Sequence, residues 1–442
     1  MSTSFRWTNR SVLAFSEGLD PVFAMEKRAR SLVLRAMDAG WDGPPFDPLA
    51  LARWLKVRTE ACGNIPDARM VPGEGSQVVL EYNPMRPRGR LRFSIAHEIA
   101  HFLFADCGER IRNRGGDLAA SDDWQLEVLC NIGAAELLMP LGSFSELADK
   151  ELSIDSVLNL RKQFDVSVEA CIIRLIKLSS APSAAFCASK HADGHYRMDY
   201  IIPASGWKSP IRTGQSLSNT GVVAEANAIG YTAKGLESWD EREPLHVECI
   251  GLAPYPGSIV PRVVGIIRPS KPSQYKPPTV TEVVGSALEP RGSGPRIIAH
   301  VVPDTQKIWG GAGFASKVRR TFPDAWLHFK AATSGKGKAP DLGKVVVVPV
   351  GEQVSVAHMI AQHGIGPSAN QRLSYSALEQ CLSQVRTRAQ ELGASVHMPR
   401  VGTGHGGANW DVVKELIAQE LVDKGVKTTI YSLPTPSPNQ AR

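Results

Sequence analysis

The sequence predicts a multidomain protein of mixed α+β and α/β class, on the basis of three observations. The chain has 442 residues, which is long enough for two to four domains. Helical apolar spacing dominates the first 180 residues, and strand-like segments with glycine and proline turns dominate the next 90 or so. Strands then alternate with helices from residue 280 to residue 432, which is typical of an α/β layered domain with a largely parallel or mixed sheet.

Composition indicates an ordinary globular protein, with 43% hydrophobic and 21% charged residues. The net charge of +6 permits contact with nucleic acid but does not require it. The seven cysteines contain no CxxC pair, which fits reduced thiols in a cytoplasm rather than disulfides or a thiolate metal site. There is no run of 18 apolar residues and no signal-peptide pattern, so we expect a cytoplasmic protein without a membrane span.

The N-terminal region, residues 1–180, is predicted to be mostly helical. Helices are expected at 22–38, 48–55 and 124–139, a strand at 77–82, and a polar loop at 107–123. Two short helices, 153–164 and 167–178, could form a helix-turn-helix pair. The pair carries Arg161, Lys162, Arg174 and Lys177. A packing subdomain with solvated charges is the favoured interpretation, and direct nucleic-acid binding is not expected.

The segment His97-Glu98-Ile99-Ala100-His101 predicts a metal site. On a helix, residues four apart share one face, so both imidazoles can bind one ion, and Glu98 can hold a water as general base. The alternative is an amphipathic helix with two core histidines. A catalytic zinc needs a third protein ligand, and Zn²⁺ is the expected metal, with Mn²⁺ as an alternative. The acids that could supply this ligand are Asp106, Glu109, Asp122, Asp123, Glu127 and Glu136.

Residues 181–267 are expected to form a small β-rich domain, with strands at 196–202, 245–252 and 263–267. Its polar strand residues form no catalytic constellation. Residues 268–279 are predicted to be a proline-rich linker, and residues 434–442 a disordered tail. In the C-terminal domain, residues 280–433, the expected strands are 280–285, 297–302, 345–350, 396–398 and 428–432. The expected helices are 312–321, 354–362, 375–392 and 410–424.

Two glycine-rich stretches follow strands in the C-terminal domain, one at 309–314 and one at 402–407. Glycines after strands let backbone amides approach a phosphate, and helix N-termini favour anions. Two such loops in one α/β domain indicate a diphosphate cradle, the alternative being two tight turns. The candidate ligand-binding residues are Asp304, Gly310, Gly311, Gly313, Gly402, Gly404, Gly406 and Gly407.

Residues 22–180 resemble the ImmA/IrrE metallopeptidases, in the segments Glu81–Pro84, Arg90–Phe93, Ala96–His101 and Ala134–Pro140. The resemblance implies a zincin-like HExxH peptidase core with a helical segment after it. It also implies Glu127 as the third ligand, beside His97 and His101, with Glu98 as the catalytic base. Family substrates are commonly helix-turn-helix repressors, cleaved in stress or mobile-element responses.

Residues 278–433 resemble a macro domain, the ADP-ribose-binding fold, in Arg296–Val302, Trp309–Phe314, Gln362–Ile365 and Met398–Gly404. Two positions depart from that family. Ser286 stands where an Asp contacts adenine, and Pro303 stands where an Asn lies near the distal ribose. Since proline offers no side-chain hydrogen bond and no amide donor, binding or sensing is favoured over hydrolysis.

Together these features predict an intracellular zinc endopeptidase acting on a protein substrate, with modulation by an ADP-ribose-like ligand. Two alternatives remain at the level of sequence. One is an ADP-ribose-binding or ADP-ribosyl hydrolase protein with an auxiliary peptidase-like domain. The other is a non-catalytic regulator with a structural metal, against which the intact Glu98 argues.

Overall fold

In the computed structural model of the protein, the chain divides into two units. The first unit comprises Met1–Arg30, Trp41–Pro140 and Glu146–Pro277, and the second comprises Ser31–Gly40, Leu141–Ser145 and Pro278–Arg442. Within the part of the chain that the structure describes, no helix is both long and apolar enough to cross a membrane. The described residues are 7–74, 77–108, 123–140, 142–143, 152–179, 181–191, 193–204, 207–239, 243–254, 261–270, 280–305, 313–333, 340–366 and 368–433.

The N-terminal part of the chain is mostly helical, as predicted. Its helices are α1 (Arg10–Ser16), α2 (Pro21–Asp38), α3 (Pro48–Trp54), α4 (Arg88–His101), α5 (Asp123–Leu138), α6 (Ile154–Phe164) and α7 (Val168–Leu178). A small sheet is formed by β1 (Arg58–Ala61), β2 (Ala68–Pro72) and β3 (Val78–Tyr82), in the order β1-β3-β2. Only β3 was expected from the sequence, because β1 and β2 are partly exposed and lack a continuous apolar pattern.

Short polar side chains begin several of these helices. The side chains of Asn9, Asp47, Ser153 and Ser167 each accept a hydrogen bond from an amide of the first helical turn. Such caps satisfy backbone donors that have no partner inside the helix. The sequence-based boundaries of α3, α6 and α7 are therefore close to the observed ones.

The helix pair α6 and α7 packs through its basic residues rather than presenting all of them to solvent. Arg174 is 5% exposed, forms an ion pair with Glu136 of α5, and donates from Nε to the Met139 carbonyl at 3.0 Å. Lys177 pairs with Glu26 at 3.2 Å. Two of the four predicted basic positions thus serve the packing of this helical subdomain.

The rest of the first unit is an antiparallel sheet. Its strands are β4 (Ala184–Lys190), β5 (Tyr196–Pro203), β6 (Ser216–Leu217), β7 (Thr232–Glu237), β8 (Leu245–Leu252) and β9 (Arg262–Pro269), with the short helix α8 (Val222–Glu225) between β6 and β7. The order is β6-β5-β4-β9-β8-β7. The predicted linker at 268–279 begins too early, because Arg268 still pairs with His246 of β8. Residues 271–279 lie outside the described residues.

The second unit is an α/β layer structure. Its strands are β10 (Thr281–Val284), β11 (Arg296–Pro303), β12 (Val345–Pro349), β13 (Val354–Gln362), β14 (Ser395–Pro399) and β15 (Thr428–Ser432), in the order β10-β15-β14-β11-β13-β12. All neighbouring strands are parallel except β12 and β13. The helices are α9 (Phe314–Thr321), α10 (Pro323–Thr333), α11 (Tyr375–Leu392) and α12 (Trp410–Glu420), with a 3-10 turn at Val422–Lys424. The predicted tail, residues 434–442, lies outside the described residues.

The expected helix at 354–362 is wrong, since these residues form the strand β13. The six residues 356–361 are all buried, because β13 lies between β11 and β12 and is covered on both faces. A strand buried on both faces has a continuous apolar sequence rather than an alternating one. The alanine and methionine in this run also favour helices, so the pattern alone did not separate the two structures.

Candidate functional site

The close approach of α4 and α5 depends on a glycine. A Cβ atom on Gly133 of α5 would lie 2.8 Å from the Cβ of Ala100 on α4 and 2.9 Å from the sulfur of Met25. Real side chains essentially never approach so closely, so this position accepts only hydrogen in the present packing. The small residues let α5 lie directly against α4, which brings their facing side chains within reach of one another.

Arginines fix α4 at its N-terminal end. Arg90 donates from Nε and Nη2 to both carboxylate oxygens of Asp67, each at 2.6 Å. Arg92 is buried and donates to the Phe46 carbonyl at 2.7 Å. Burial is the largest influence on Arg92 and lowers its pKa, although Asp165 acts in the opposite direction. These contacts hold the helix that carries the two histidines.

Three predicted ligands meet where α4 faces α5. Ligand atoms of His97, His101 and Glu127 all lie within 4.8 Å of one another. The two Nε2 atoms are 3.2 Å apart, and Nε2 of His97 is 3.0 Å from Oε2 of Glu127. Nε2 of His101 is 3.7 Å from Oε1 of Glu127. Among the described residues, this is the one group of three or more such side chains gathered closely enough to hold a metal.

This donor set fits a tetrahedral zinc ion. For Zn–N bonds of about 2.05 Å, two nitrogens of a tetrahedral site are separated by about 3.3 Å. The observed 3.2 Å between the Nε2 atoms agrees with that spacing. Two imidazoles and one carboxylate are also the donors of a catalytic zinc site that leaves its fourth position open. Glu127 has half of its side chain exposed, so the site is open to solvent on the α5 side.

Asn131 is a site residue that sequence reasoning missed. Its Oδ1 lies 2.9 Å from Nδ1 of His97. A proton on Nδ1 donated to Asn131 leaves Nε2 as the lone-pair nitrogen, which faces Glu127 and His101. The signal was present in the sequence, because Asn131 follows Glu127 by four residues and so shares its helix face.

Glu127 also affects the charge of His97. Burial is the largest influence and lowers the pKa of His97, but the hydrogen bond and negative charge of Glu127, together with the charge of Glu98 and the hydrogen bond with Asn131, raise the pKa overall. The carboxylate of Glu127 thus favours positive charge at the position of His97. A bound cation would satisfy the same carboxylate.

Glu98 is oriented by the sheet rather than by the ligand group. It is 7% exposed, and its Oε2 accepts a hydrogen bond from the Met70 amide of β2 at 3.1 Å. Met70 pairs with Leu80 of β3, and β2 is an edge strand, so this amide points away from the ladder. A backbone donor thus fixes one oxygen of the predicted general base, next to His97 in the chain.

The other acids considered for the third ligand lie elsewhere. Asp106 accepts a hydrogen bond from the Ser11 hydroxyl, and Asp123 accepts one from Asn9 at 3.5 Å. Glu136 is buried in the ion pair with Arg174. Glu109 and Asp122 lie outside the described residues.

The second glycine-rich loop of the C-terminal unit is closed by its own backbone, since the Ala408 amide donates to the Gly402 carbonyl at 3.0 Å, and it is also tied to the segment before α11. The Gly406 carbonyl accepts from the amides of Arg372 and Leu373, at 2.9 and 3.0 Å. Gly402 has φ +77°, where glycine is favoured, and a Cβ on Gly406 would collide with the Gly402 carbonyl oxygen. The loop therefore needs these glycines for its shape. Asn409 is the N-cap of α12, and its side chain accepts a hydrogen bond from the Asp411 amide.

Asp304 lies at the carboxyl end of β11 and is tied to the loop after β13. Its Oδ1 accepts from the Gly364 amide at 2.8 Å, and its Oδ2 lies 3.1 Å from Nδ1 of His363. Gly313 precedes α9 with φ +87°, while the candidates Gly310 and Gly311 lie outside the described residues. Pro303 ends β11, and the hydroxyl of Ser286 accepts from the Leu288 amide at 3.3 Å, so both departures take part in local backbone structure.

Comparison with known proteins identifies the class of the N-terminal domain. Residues 66–175 match the family model for the IrrE N-terminal-like domain, Peptidase_M78. This part of the chain therefore carries a domain of a metallopeptidase family, and the predicted resemblance is confirmed.

Individual proteins resemble different parts of the chain. The radiation response metalloprotease IrrE of Deinococcus deserti is 32% identical over 114 residues, or 25% of this chain and 40% of that protein. Chromodomain-helicase-DNA-binding protein 1-like of Mus musculus is 30% identical over 166 residues, or 35% of this chain and 18% of that protein. The chain thus spans less than half the length of either curated relative.

Among solved structures, the chain is similar to a macrodomain protein from Streptomyces coelicolor, with 35% identity and a TM-score of 0.30. The match covers 35% of this chain and 98% of that protein. The protein combines mixed helices and sheets in more than one domain.

Proposed function

We propose that the protein is a zinc-dependent endopeptidase that acts on a protein substrate. The observation that carries this proposal is the convergence of His97, His101 and Glu127 on one point, with Glu98 next to the first ligand. We also propose that the HExxH peptidase core is zincin-like. Mn²⁺ is the alternative metal, since the carboxylate oxygens of Glu127 also suit it.

In this mechanism the chain's own residues position and move protons. His97, His101 and Glu127 would hold the metal, which when bound polarises a carbonyl and lowers the pKa of water toward neutrality. Glu98, fixed through Oε2 by the Met70 amide, accepts a proton from the attacking water and delivers it to the leaving amine. Asn131 keeps Nε2 of His97 available by accepting its Nδ1 proton.

The test separates metal binding from catalysis. Glu98→Gln should retain metal and lose peptide cleavage, because the amide cannot accept the proton, whereas His97→Ala should lose both. Metal content by atomic absorption and cleavage of a candidate repressor are the two measurements. Cleavage by Glu98→Gln at the parental rate would contradict the general-base role.

We further propose that the substrate is a helix-turn-helix repressor cleaved in the cytoplasm during a stress or mobile-element response. The match of residues 66–175 to the IrrE N-terminal-like family model and the similarity of the chain to a radiation response metalloprotease support this, as does the absence of a CxxC pair among the seven cysteines. A repressor encoded by a neighbouring gene is the substrate to test. Intact repressor after incubation with metal-loaded protein would count against it.

The C-terminal unit is proposed to bind an ADP-ribose-like ligand that modulates cleavage. The closed Gly402–Gly407 loop and Asp304 at neighbouring strand ends support a ligand site there. Pro303 and Ser286 favour binding over hydrolysis, which keeps an ADP-ribosyl hydrolase as the alternative. Calorimetric titration of the protein with ADP-ribose, with cleavage assayed at each concentration, tests this proposal. Absence of binding together with a constant cleavage rate would contradict the sensing role. Release of free ADP-ribose from a modified protein would favour the hydrolase alternative.

A further inference from the structure

A cavity of about 600 Å³ lies at the amino-terminal edge of the parallel strands in the second unit. Thr281, Ser395 and Thr428 are the first residues of β10, β14 and β15, and all three line it. The Gly402–Gly407 loop follows the opposite end of β14. Since a strand rises about 3.3 Å per residue, the four steps of β14 separate the two ends by about 13 Å. The cavity is therefore distinct from the cleft at the carboxyl ends of the strands.

The charge around this cavity has one sign. Arg291 and Lys427 line it, and no aspartate or glutamate does. Within the described ranges neither cation has an ion-pair partner, although Arg291 also donates to the Val284 carbonyl at 2.9 Å. Hydroxyl groups supply much of the remaining surface: Thr281, Ser293, Ser395, Thr428 and Thr429. Two cations among neutral donors favour an anionic occupant.

The loop that carries Arg291 is built into a fixed shape. The Arg296 side chain donates to the carbonyls of Pro290, Gly292 and Gly294, at 3.2, 3.3 and 3.1 Å. The Arg291 amide donates to the Tyr431 hydroxyl at 2.9 Å. The loop carbonyls thus accept hydrogen bonds from the protein itself, so the wall of the cavity does not depend on a ligand for its shape.

Two amides of the same loop have no acceptor within the described part of the chain. Gly292, with φ +102°, and Ser293 both line the cavity, and among the described residues no carbonyl or side chain accepts from their amides. Successive amides around a glycine with positive φ form a concavity suited to an anion. They add neutral donors to the two cations.

His397 anchors the floor of the cavity. It is 2% exposed, its Nε2 lies 2.8 Å from the Ser395 hydroxyl, and its Nδ1 lies 3.0 Å from the Tyr431 hydroxyl. Burial lowers the pKa of His397 to about 4, so the ring is neutral near pH 7. The chain from Arg291 through Tyr431 and His397 to Ser395 therefore positions the Ser395 hydroxyl without adding charge.

We propose that this cavity is a second anion-binding site of the C-terminal unit, which binds a phosphate-bearing small molecule of about mononucleotide size. Arg291, Lys427 and the amides of Gly292 and Ser293 bind the phosphate, and Ser395 and the threonine hydroxyls bind the polar remainder. The volume lies in the range of cavities that enclose small ligands. The site is independent of the peptidase and of the strand-end loops.

Isothermal titration of the full chain with AMP and with inorganic pyrophosphate tests this site. Lys427→Gln and Arg291→Gln should each weaken binding about tenfold, because each removes a charged donor to phosphate. Arg388→Gln is the matched control, since it removes one positive charge from an exposed position of α11 outside the cavity. Ser395→Ala, which removes one hydroxyl without changing charge, should weaken AMP binding severalfold.

Three results would overturn the proposal. The first is equal affinity in Lys427→Gln, Arg291→Gln and Arg388→Gln, and the second is no saturable binding of either probe. The third is loss of binding in Gly406→Ala with retention in the two charge variants, which would place the ligand at the strand-end loop. Lys427 and Arg291 are exposed, so far-UV circular dichroism should show that both variants fold.

Discussion

Oδ1 of Asn131 lies 2.9 Å from Nδ1 of His97, on the side of the ring opposite the nitrogen that faces Glu127. Asn131 follows Glu127 by one turn of α5, so a single helix face supplies one candidate ligand and the group that orients another. The geometry makes Asn131 a positioning residue for the proposed metal site.

Asn131→Ala should lower zinc affinity by about 10- to 100-fold, because the imidazole loses the acceptor that fixes its tautomer and orientation. Competition with a chromophoric chelator measures this affinity. Asn131→Asp retains an acceptor and should bind zinc at least as well as the parent. Equal affinities for Asn131→Ala and the parent would show that the His97 ring is held by other contacts.

Gly133→Ala should destabilise the first unit and displace Glu127 from the histidines. The added methyl would lie 2.8 Å from the Ala100 methyl, and such overpacking costs about 1–3 kcal/mol. The free energy of unfolding in urea and the zinc affinity should both fall. The double variant Gly133→Ala/Ala100→Gly removes that clash and leaves only the contact with the sulfur of the flexible Met25 side chain, so it should recover zinc affinity. A Gly133→Ala protein with parental zinc affinity would contradict the role given to close packing.

The second unit should lose stability in acid because of a buried histidine pair. His300 and His358 face each other on β11 and β13, with Nε2 and Nδ1 2.7 Å apart. Burial lowers the pKa of His358 from 6.5 to about 3, and burial together with His358 lowers the pKa of His300 well below 6.5. The unfolded chain therefore binds more protons than the folded chain below pH 6.5. As a result, the free energy of unfolding of the second unit decreases as the pH is lowered below 6.5.

Hydrogen exchange of amides in β11 and β13 measures this effect. His358 alone should contribute a loss of about 2 kcal/mol between pH 7.5 and pH 5. In His358→Gln the slope of stability against pH should shrink, whereas His246→Gln, at an exposed position of β8, should leave it unchanged. A parental slope in His358→Gln would contradict the assignment.

Arg174→Met should lower the free energy of unfolding by about 3 kcal/mol or more, because Glu136 would stay buried without its cation. Lys162→Met, at an exposed position of α6, is the control and should change it by less than about 0.5 kcal/mol. Urea unfolding of the full chain measures both. A comparable loss in the two variants would mean that Arg174 is not a structural residue of the helix pair.

The long helices α2 and α11, with clear periodicity, and the largely apolar α5, ended before Pro140, were predicted closely from the sequence. The short edge strands β1 and β2 were missed, and so was β4, whose apolar run lacks a period of two. For β13 a helix was predicted where the structure has a strand. Burial on both faces removes the alternation of apolar and polar residues that marks a half-exposed strand. Local pattern therefore failed where the environment on both sides of a segment decided its conformation.

The sequence by itself determined the two histidines and Glu98, because a spacing of four residues on a helix needs no tertiary information. From the residues alone, six acids could have supplied the third ligand, and resemblance to a family singled out Glu127. Only the tertiary structure brought α5 against α4 at Gly133, placed Asn131 on His97, and put the Met70 amide on Glu98. Contacts between segments distant in the chain depend on close packing, which no local pattern encodes.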